Sequence, residues 1–449
     1  MAGGARFLRR LAHLIILPCL IATLAGCSAV DSEQDSLCRR AIPALLDTSG
    51  GIRILQSTAA GNRAVSIRFR LGDDSEHRLA CLFAGAGLDP RKRTMVALVV
   101  DGQRLSDAGF HLLTSRWLES PLSVAQEPPP APRPALFEPV PAAAALGLQH
   151  VLAALPKMGV YALIAAAYAL VYGLTGRINL AFGGFAALGG GAAALAVTLI
   201  AAAGLDSVAS GFLGAVLAGG GVAALFGAVA GRLIVAPLAL GPGQQALIGS
   251  VGLMIALEEF LRLSQGPRTL WLAPVYNTPV AVARSAAFDA TVTPMALAAT
   301  GIAAAMAIGL TAFLNNSRFG RAWRALADEP QAAELFGVDP VGVLARSVAV
   351  AAGLAGLAGM IVVVHFGGIG FAGGRALGLT ALVAAVLGGI GSVSGAMAGG
   401  VLIGLFEAAW SAFRPMEHRE IAIFLLLSIL LILKPDGLFG GRLPGPERV

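Results

Sequence analysis

The sequence predicts an all-α polytopic membrane protein of about 8–10 transmembrane helices, preceded by a small extracytoplasmic α+β module. Three observations predict it. Hydrophobic residues make up 56% of the 449, only 13% are charged and 58 are glycine, and with a mean hydropathy of +0.77 the chain lies outside the soluble range. Apolar runs of about 20 residues recur from Leu146 onward, each long enough to cross a bilayer as a helix. Charge is segregated: Asp31 to Glu138 holds many of the acidic and basic residues, whereas Leu146 to Val449 is sparse in both. The two regions are built for different solvents.

Residues 1–27 read as a signal peptide or a signal anchor. MAGGARFLRR is a positive n-region, and the apolar stretch LAHLIILPCLIATLAGC follows it. Leu24-Ala25-Gly26-Cys27 also fits a lipobox, which would make Cys27 a lipidated N-terminus; the other reading is an uncleaved anchor with an incidental cysteine. Either way the residues after Ser28 face the oxidising side. A disulfide between Cys38 and Cys81 is then expected, against the alternative of two buried thiols.

Residues 28–119 have the pattern of the small module. Ala64 to Leu71 alternates apolar and polar residues, Gly72-Asp73-Asp74 turns, and Arg78 to Phe83 returns, which predicts a β-hairpin. Thr94 to Val100 predicts a further strand, and Asp107 to Leu118 an amphipathic helix. Nothing in the module has catalytic spacing; His77 and His111 stand alone. Residues 120–145 form a linker whose Pro121 to Pro141 stretch has polyproline character and no apolar period.

Residues 146–440 form the membrane domain, and 441–449 a cytoplasmic tail. Spans are expected near Met158–Tyr172, Ala181–Ala203, Gly211–Gly231, Ala246–Leu263, Pro294–Leu314, Leu344–His365, Gly378–Ile390, Ala396–Ala412 and Ile421–Leu433. Counting from a cytoplasmic n-region places Arg177, Arg232, the Asn315–Pro340 loop, the Gly391–Gly395 turn and the tail inside. The excess of inside arginines agrees by a thin margin, most of it from Arg318, Arg321 and Arg324. That Asn315–Pro340 loop, NNSRFGRAWRALADEPQAAELFGVDP, is an Arg-rich amphipathic wedge between apolar runs, and is expected to be a docking helix ended by Gly337. The alternative is a solvated loop whose arginines set topology and contact lipid phosphates.

Glycine pairs such as Gly183-Gly184 and Gly388-Gly389 suit close helix packing. The break Leu387-Gly388-Gly389-Ile390-Gly391 has a second reading, in which a half-helix ends and leaves backbone groups facing a cavity. Asn179, Gly183, Gly388, Gly389 and Gly391 are the candidates for the translocation path.

Several chemistries are excluded. The only lysines are Lys92, Lys157 and Lys434, and none completes a phosphate-binding loop. No Cys/His metal cluster, HExxH or nucleophile elbow occurs, so neither enzymatic activity nor a cofactor is expected. The net charge of +6 comes without a basic, aromatic-interleaved cluster, and no nucleic-acid partner is expected. Transport must then draw on an ion gradient or a partner. Glu258, Glu259, His365 and Glu407 are the ionisable groups in or near spans, and they would serve an ion-coupled carrier or pair structurally at a bundle interface.

Four segments in order carry a resemblance: Tyr172–Gly183, Ser317–Val338, Ala381–Gly400 (ALVAAVLGGIGSVSGAMAGG) and Lys434–Gly440 (KPDGLFG). Together they resemble the permease subunits of branched-chain amino-acid ABC importers, of the H-type more than the M-type, over Leu146 to Gly440. The resemblance implies a multi-pass inner-membrane importer subunit working with cytoplasmic ATPase subunits, a second permease subunit (an M-type paralogue or a second copy) and a periplasmic solute-binding protein. It implies that Arg318, Gly320, Arg321, Arg324, Ala333, Glu334 and Gly337 belong to an ATPase-coupling helix. Phe182 and Arg177 depart from the family's early signature, which has His and an apolar residue there, so the solute is open between branched-chain amino acids and urea or short amides. The N-terminal module lies outside the ordinary amino-acid permease; a lipid-anchored scaffold built around it is a third reading.

Overall fold

The computed structural model describes residues 30–45, 51–61, 63–72, 75–87, 89–131, 140–205, 207–239, 243–266, 270–272, 277–285 and 288–439. The signal segment with Cys27 and the 441–449 tail lie outside the described residues.

The N-terminal module is an antiparallel meander of five strands with helices on one face: α1 (Ser32–Leu45), β1 (Ile52–Ala59), β2 (Ala64–Leu71), β3 (Glu76–Phe83), β4 (Met95–Val100), β5 (Gln103–Arg104), α2 (Asp107–Leu112) and α3 (Pro121–Ala125). The alternation seen in the sequence sets its register. Ile67 pairs with Leu79 and Phe69 with His77, so Val65, Ile67, Phe69, Leu79, Cys81 and Phe83 all point to one face and bury against Cys38, Ala41 and Ile42 of α1. Each fully buried large side chain contributes about 1.5–3 kcal/mol. Cys38 and Cys81 are joined at 1.93 Å between sulfurs, tying α1 to β3. The strand β1 and helix α1 carried no clear pattern and were not expected. The Asp107–Leu118 helix is shorter than its apolar period, giving way to a π-helical turn over Leu113–Trp117. In the linker, Ser120 caps Pro121–Ala125 as a short helix where polyproline character was expected.

The membrane domain is a bundle of long helices: α4 (Ala142–Thr175), α5 (Phe182–Ala202), α6 (Val208–Ala230, running on through a π-helical turn to Ala239), α7 (Gly243–Gln265), α8 (Pro294–Asn316), α11 (Pro340–Phe366), α12 (Gly373–Gly388), α13 (Val393–Phe413) and α14 (Arg419–Leu433), with the short α9 (Arg318–Asp328) and α10 (Pro330–Leu335) between α8 and α11. Among the described residues six of these are long and apolar enough to span a membrane; α12 is apolar but shorter. Helix α4 begins 16 residues before the expected Met158 start. At about 1.5 Å per residue it is about 51 Å long and overreaches a bilayer core. Its extra turns meet a hairpin, β6 (Val280–Arg284) and β7 (Asp289–Val292): Val140 N donates to Arg284 O, and Thr291 N to Gln149 Oε1.

Helices α4 and α11 form the buried centre. Gly356 of α11 meets Gly219 and Ala223 of α6, while Gly400 and Gly404 of α13 meet Ala162 and Met158 of α4. The groups α4–α7 and α11–α14 thus run in opposite senses, α6 lying on the central helix of the second group and α13 on that of the first. This is the arrangement of an inverted repeat.

The two groups meet where α5 and α12 cross. A Cβ on Gly183 would strike Gly374 O, and one on Gly374 would strike Gly183 O. Phe182 packs edge-on to Tyr168, two turns before the end of α4, with ring centroids 5.2 Å apart. The 176–181 segment therefore climbs back into the bundle before α5 starts. Helix α12 likewise begins inside the bundle, because Gly374 lies level with Gly183 and Ala187.

Candidate coupling and translocation site

The loop between α8 and α11 is a hairpin of two helices, where one continuous helix was expected. Ser317 caps α9, its hydroxyl accepting from Gly320 N at 2.9 Å. Pro330 then opens α10 and holds Glu329 extended, at φ −141° and ψ 88°, which breaks the helix. Trp323 Nε1 donates to Leu170 O at 3.0 Å, and its ring lies over Gly173. Leu326, Ala333 and Val343 close a small core with Phe319 and Leu174. The hairpin is thereby fastened to the end of α4.

This packing sorts the predicted residues. Arg318, Arg321, Glu334 and Gly337 are exposed, while Gly320 and Ala333 are buried within the hairpin. Gly320 passes so close to Leu314 that a Cβ would strike its carbonyl. Arg324 is turned back to donate to Leu314 O, so only two of the three arginines face outward. Gly337, at φ +82°, donates to Glu334 O and ends α10. The sequence reading missed Leu335 and Phe336, which are 89% and 90% exposed at the end of α10. Two adjacent large apolar residues inside a polar loop were the available signal.

The path candidates divide differently. Asn179 is buried, and its Oδ1 accepts from Ala181 N at 3.0 Å while Ser250 Oγ accepts from Leu180 N, so the re-entering segment is held by side chains. Gly183 sits at the α5–α12 crossing. Gly388 packs on Gly395 and Gly399 of α13, and Gly389 meets Gly437. Leu438 N donates to Leu387 O and Phe439 N to Gly388 O, so residues 437–439 pack into the break at Gly388–Gly391. The helix starts that lie inside the bundle are those of α5 and α12.

The family described as branched-chain amino acid transport system / permease component matches residues 151–433. The chain belongs to this family. It is 34% identical over 284 residues to the high-affinity branched-chain amino acid transport system permease protein LivH of Escherichia coli (strain K12), covering 62% of this chain and 91% of that protein. LivH of Salmonella typhimurium shows the same identity and coverage. BraD of Pseudomonas aeruginosa, a permease protein of the same kind of system, is 33% identical over 293 residues, 65% of this chain and 95% of its own length. No solved structure matches the chain. The N-terminal module lies outside the matched region.

Within this permease fold the ionisable groups of the spans are paired. Glu407 of α13 is buried and accepts from Lys157 Nζ at 2.7 Å, Tyr161 OH at 2.6 Å and Arg419 Nη1 at 2.8 Å, joining α4, α13 and α14. Glu258 of α7 accepts from Arg375 Nε and Nη2 at 3.3 and 2.5 Å. Each of these carboxylates joins helices through an ion pair, which is the structural pairing at a bundle interface. His365 only meets the ring of Phe366. Among the described residues no group of three or more His, Cys, Asp or Glu could hold a metal ion.

Proposed function

We propose that the chain is a transmembrane permease subunit of an inner-membrane ABC importer for branched-chain amino acids, moving solute handed over by a periplasmic binding protein and driven by ATP hydrolysis in a separate cytoplasmic subunit. The α9–α10 hairpin carries the reading. It is fastened to α4 through Trp323 and leaves Arg318, Arg321, Glu334, Leu335 and Phe336 exposed. Two adjacent exposed large apolar side chains on a helix that also carries exposed charge suit a partner's groove. In this reading the hairpin is cytoplasmic and the N-terminal module extracytoplasmic. A second permease subunit, either an M-type paralogue or a second copy, completes the path.

Closure of the ATPases moves the hairpin, and the Trp323 anchor passes that movement to α4, which packs against α11 and α13. The bundle then exchanges between two packings that open the α5–α12 crossing to either side. In this reading the module meets the binding protein, and deletion of residues 30–131 is expected to weaken uptake at low binding-protein concentration. The principal test is copurification with the ATPase subunits. Leu335→Asp with Phe336→Asp should abolish it while leaving insertion intact, and undiminished copurification and uptake would refute the reading.

A further inference from the structure

Helix α7 and the start of α12 carry charge on an open face at a depth where lipid cannot solvate it. Leu257 of α7 packs on Gly184 and Leu261 on Gly191, and Gly189 and Gly190 of α5 pack in turn on Gly356 and Gly359 of α11. Gly356 and Gly359 precede Phe366, the end of α11, by ten and seven residues. The rise of a helix therefore places Glu258 about 10–15 Å below that end, inside the apolar layer. Beside it, Glu259 pairs with Arg262 at 2.6 Å, with side chains 48% and 43% exposed. The Arg375 side chain is 53% exposed although its partner Glu258 is buried.

Arg375 uses Nε and Nη2 on Glu258, and among the described residues Nη1 has no partner. One edge of the guanidinium is fixed and the other is presented to the open face. Such an edge matches a carboxylate in a planar, two-bond geometry. Charge left open at this depth marks a solute path. Because Glu258 balances the charge of Arg375, an anion would be held loosely enough to leave.

We propose that Arg375, oriented by Glu258, reads the carboxylate of the transported solute at mid-span, on a water-filled face shared with Glu259 and Arg262. This rests on the importer reading above and deepens it, because a neutral urea or amide would leave the guanidinium unmatched. Glu258 is a positioning residue.

The test uses the whole transporter in proteoliposomes: this chain, its partner permease, the ATPases and the binding protein. Arg375→Gln should lower leucine uptake at least tenfold while binding-protein-stimulated ATP hydrolysis stays within twofold. Exchanging the pair, with Glu258→Arg and Arg375→Glu, keeps an ion pair and should fail to restore uptake. Glu259→Cys should be modified by a water-soluble anionic thiol reagent, more slowly with excess leucine. Uptake retained in Arg375→Gln, uptake restored by the exchange, or an unmodified Glu259→Cys each overturns the proposal alone. A wild-type complex that carries urea and no carboxylate overturns the substrate reading with it.

Discussion

Gly183 and Gly374 cross with each backbone carbonyl occupying the place where the other's Cβ would stand. The contact is reciprocal and joins the two opposed halves of the bundle. Gly374→Leu should separate α5 and α12, with an overpacking cost of about 1–3 kcal/mol. The expected outcome is a lowered thermal midpoint in detergent and strongly reduced uptake, with hydrolysis by the ATPase retained. An unchanged midpoint would show that the helices are free to part.

Gly337 ends α10 at φ +82°, a conformation that β-branched residues adopt at a cost of about 1–3 kcal/mol. Gly337→Val should therefore reshape the turn between α10 and α11. Uptake is expected to fall severalfold at unchanged expression, with ATP hydrolysis continuing uncoupled. Parallel measurement of hydrolysis and leucine uptake separates this from simple misfolding, which would lower both.

Much of this architecture is legible in the sequence, because burial in lipid writes itself as apolar length. The nine expected spans each fall on a helix, six of them long and apolar enough to cross a membrane, and the alternation of Ala64–Leu71 set β2 and its pairing with β3. Depth was not legible. Phe182 and Gly373 both start helices inside the bundle, yet each looks like an ordinary span end, because only their contacts with Tyr168 and with the facing helix reveal the level. At the Gly388–Gly391 break the contacts are those of the close-packing reading, Gly388 lying on α13 and Gly389 against Gly437. In the hairpin, exposure sorted Leu335 and Phe336 from Ala333, a distinction that depends on which face Trp323 pins down.

His77 Nδ1 lies 2.7 Å from Asp101 Oδ2, and Arg78 N donates to Asp101 Oδ1. These two interactions hold the Asp101 carboxyl below its ordinary value. A lowered folded-state pKa means that the stabilisation is fully present above the unfolded value of about 3.9 and is lost as pH falls through the folded one. Asp101 also sits at φ +48° in the β4–β5 turn, which Asn tolerates. Asp101→Asn should therefore lower module stability at neutral pH and flatten its acid limb, the two proteins converging below about pH 4. Proteolysis of the full-length protein across that range measures it; an unaltered acid limb would remove Asp101 from the account.

Cys38 and Cys81 bridge α1 to β3 across a sequence separation of 43. Closing a loop of that size restricts the unfolded chain by about 4 kcal/mol in the loop-entropy description. Both cysteines are also fully buried, among Ala41, Ile42 and Leu98, so loss of the bridge leaves two small thiols in an apolar site that tolerates them. Cys38→Ala with Cys81→Ala, which puts no hydroxyl into that site, should therefore weaken the module by about the loop term. Proteolysis of the full-length protein is expected to begin in residues 51–104 at lower temperature, with the membrane helices still protected. Uptake at saturating binding protein should be unchanged, since the module lies outside the region shared with the relatives. Recovery of both cysteines as free thiols from the native, non-reduced protein would contradict the bridge.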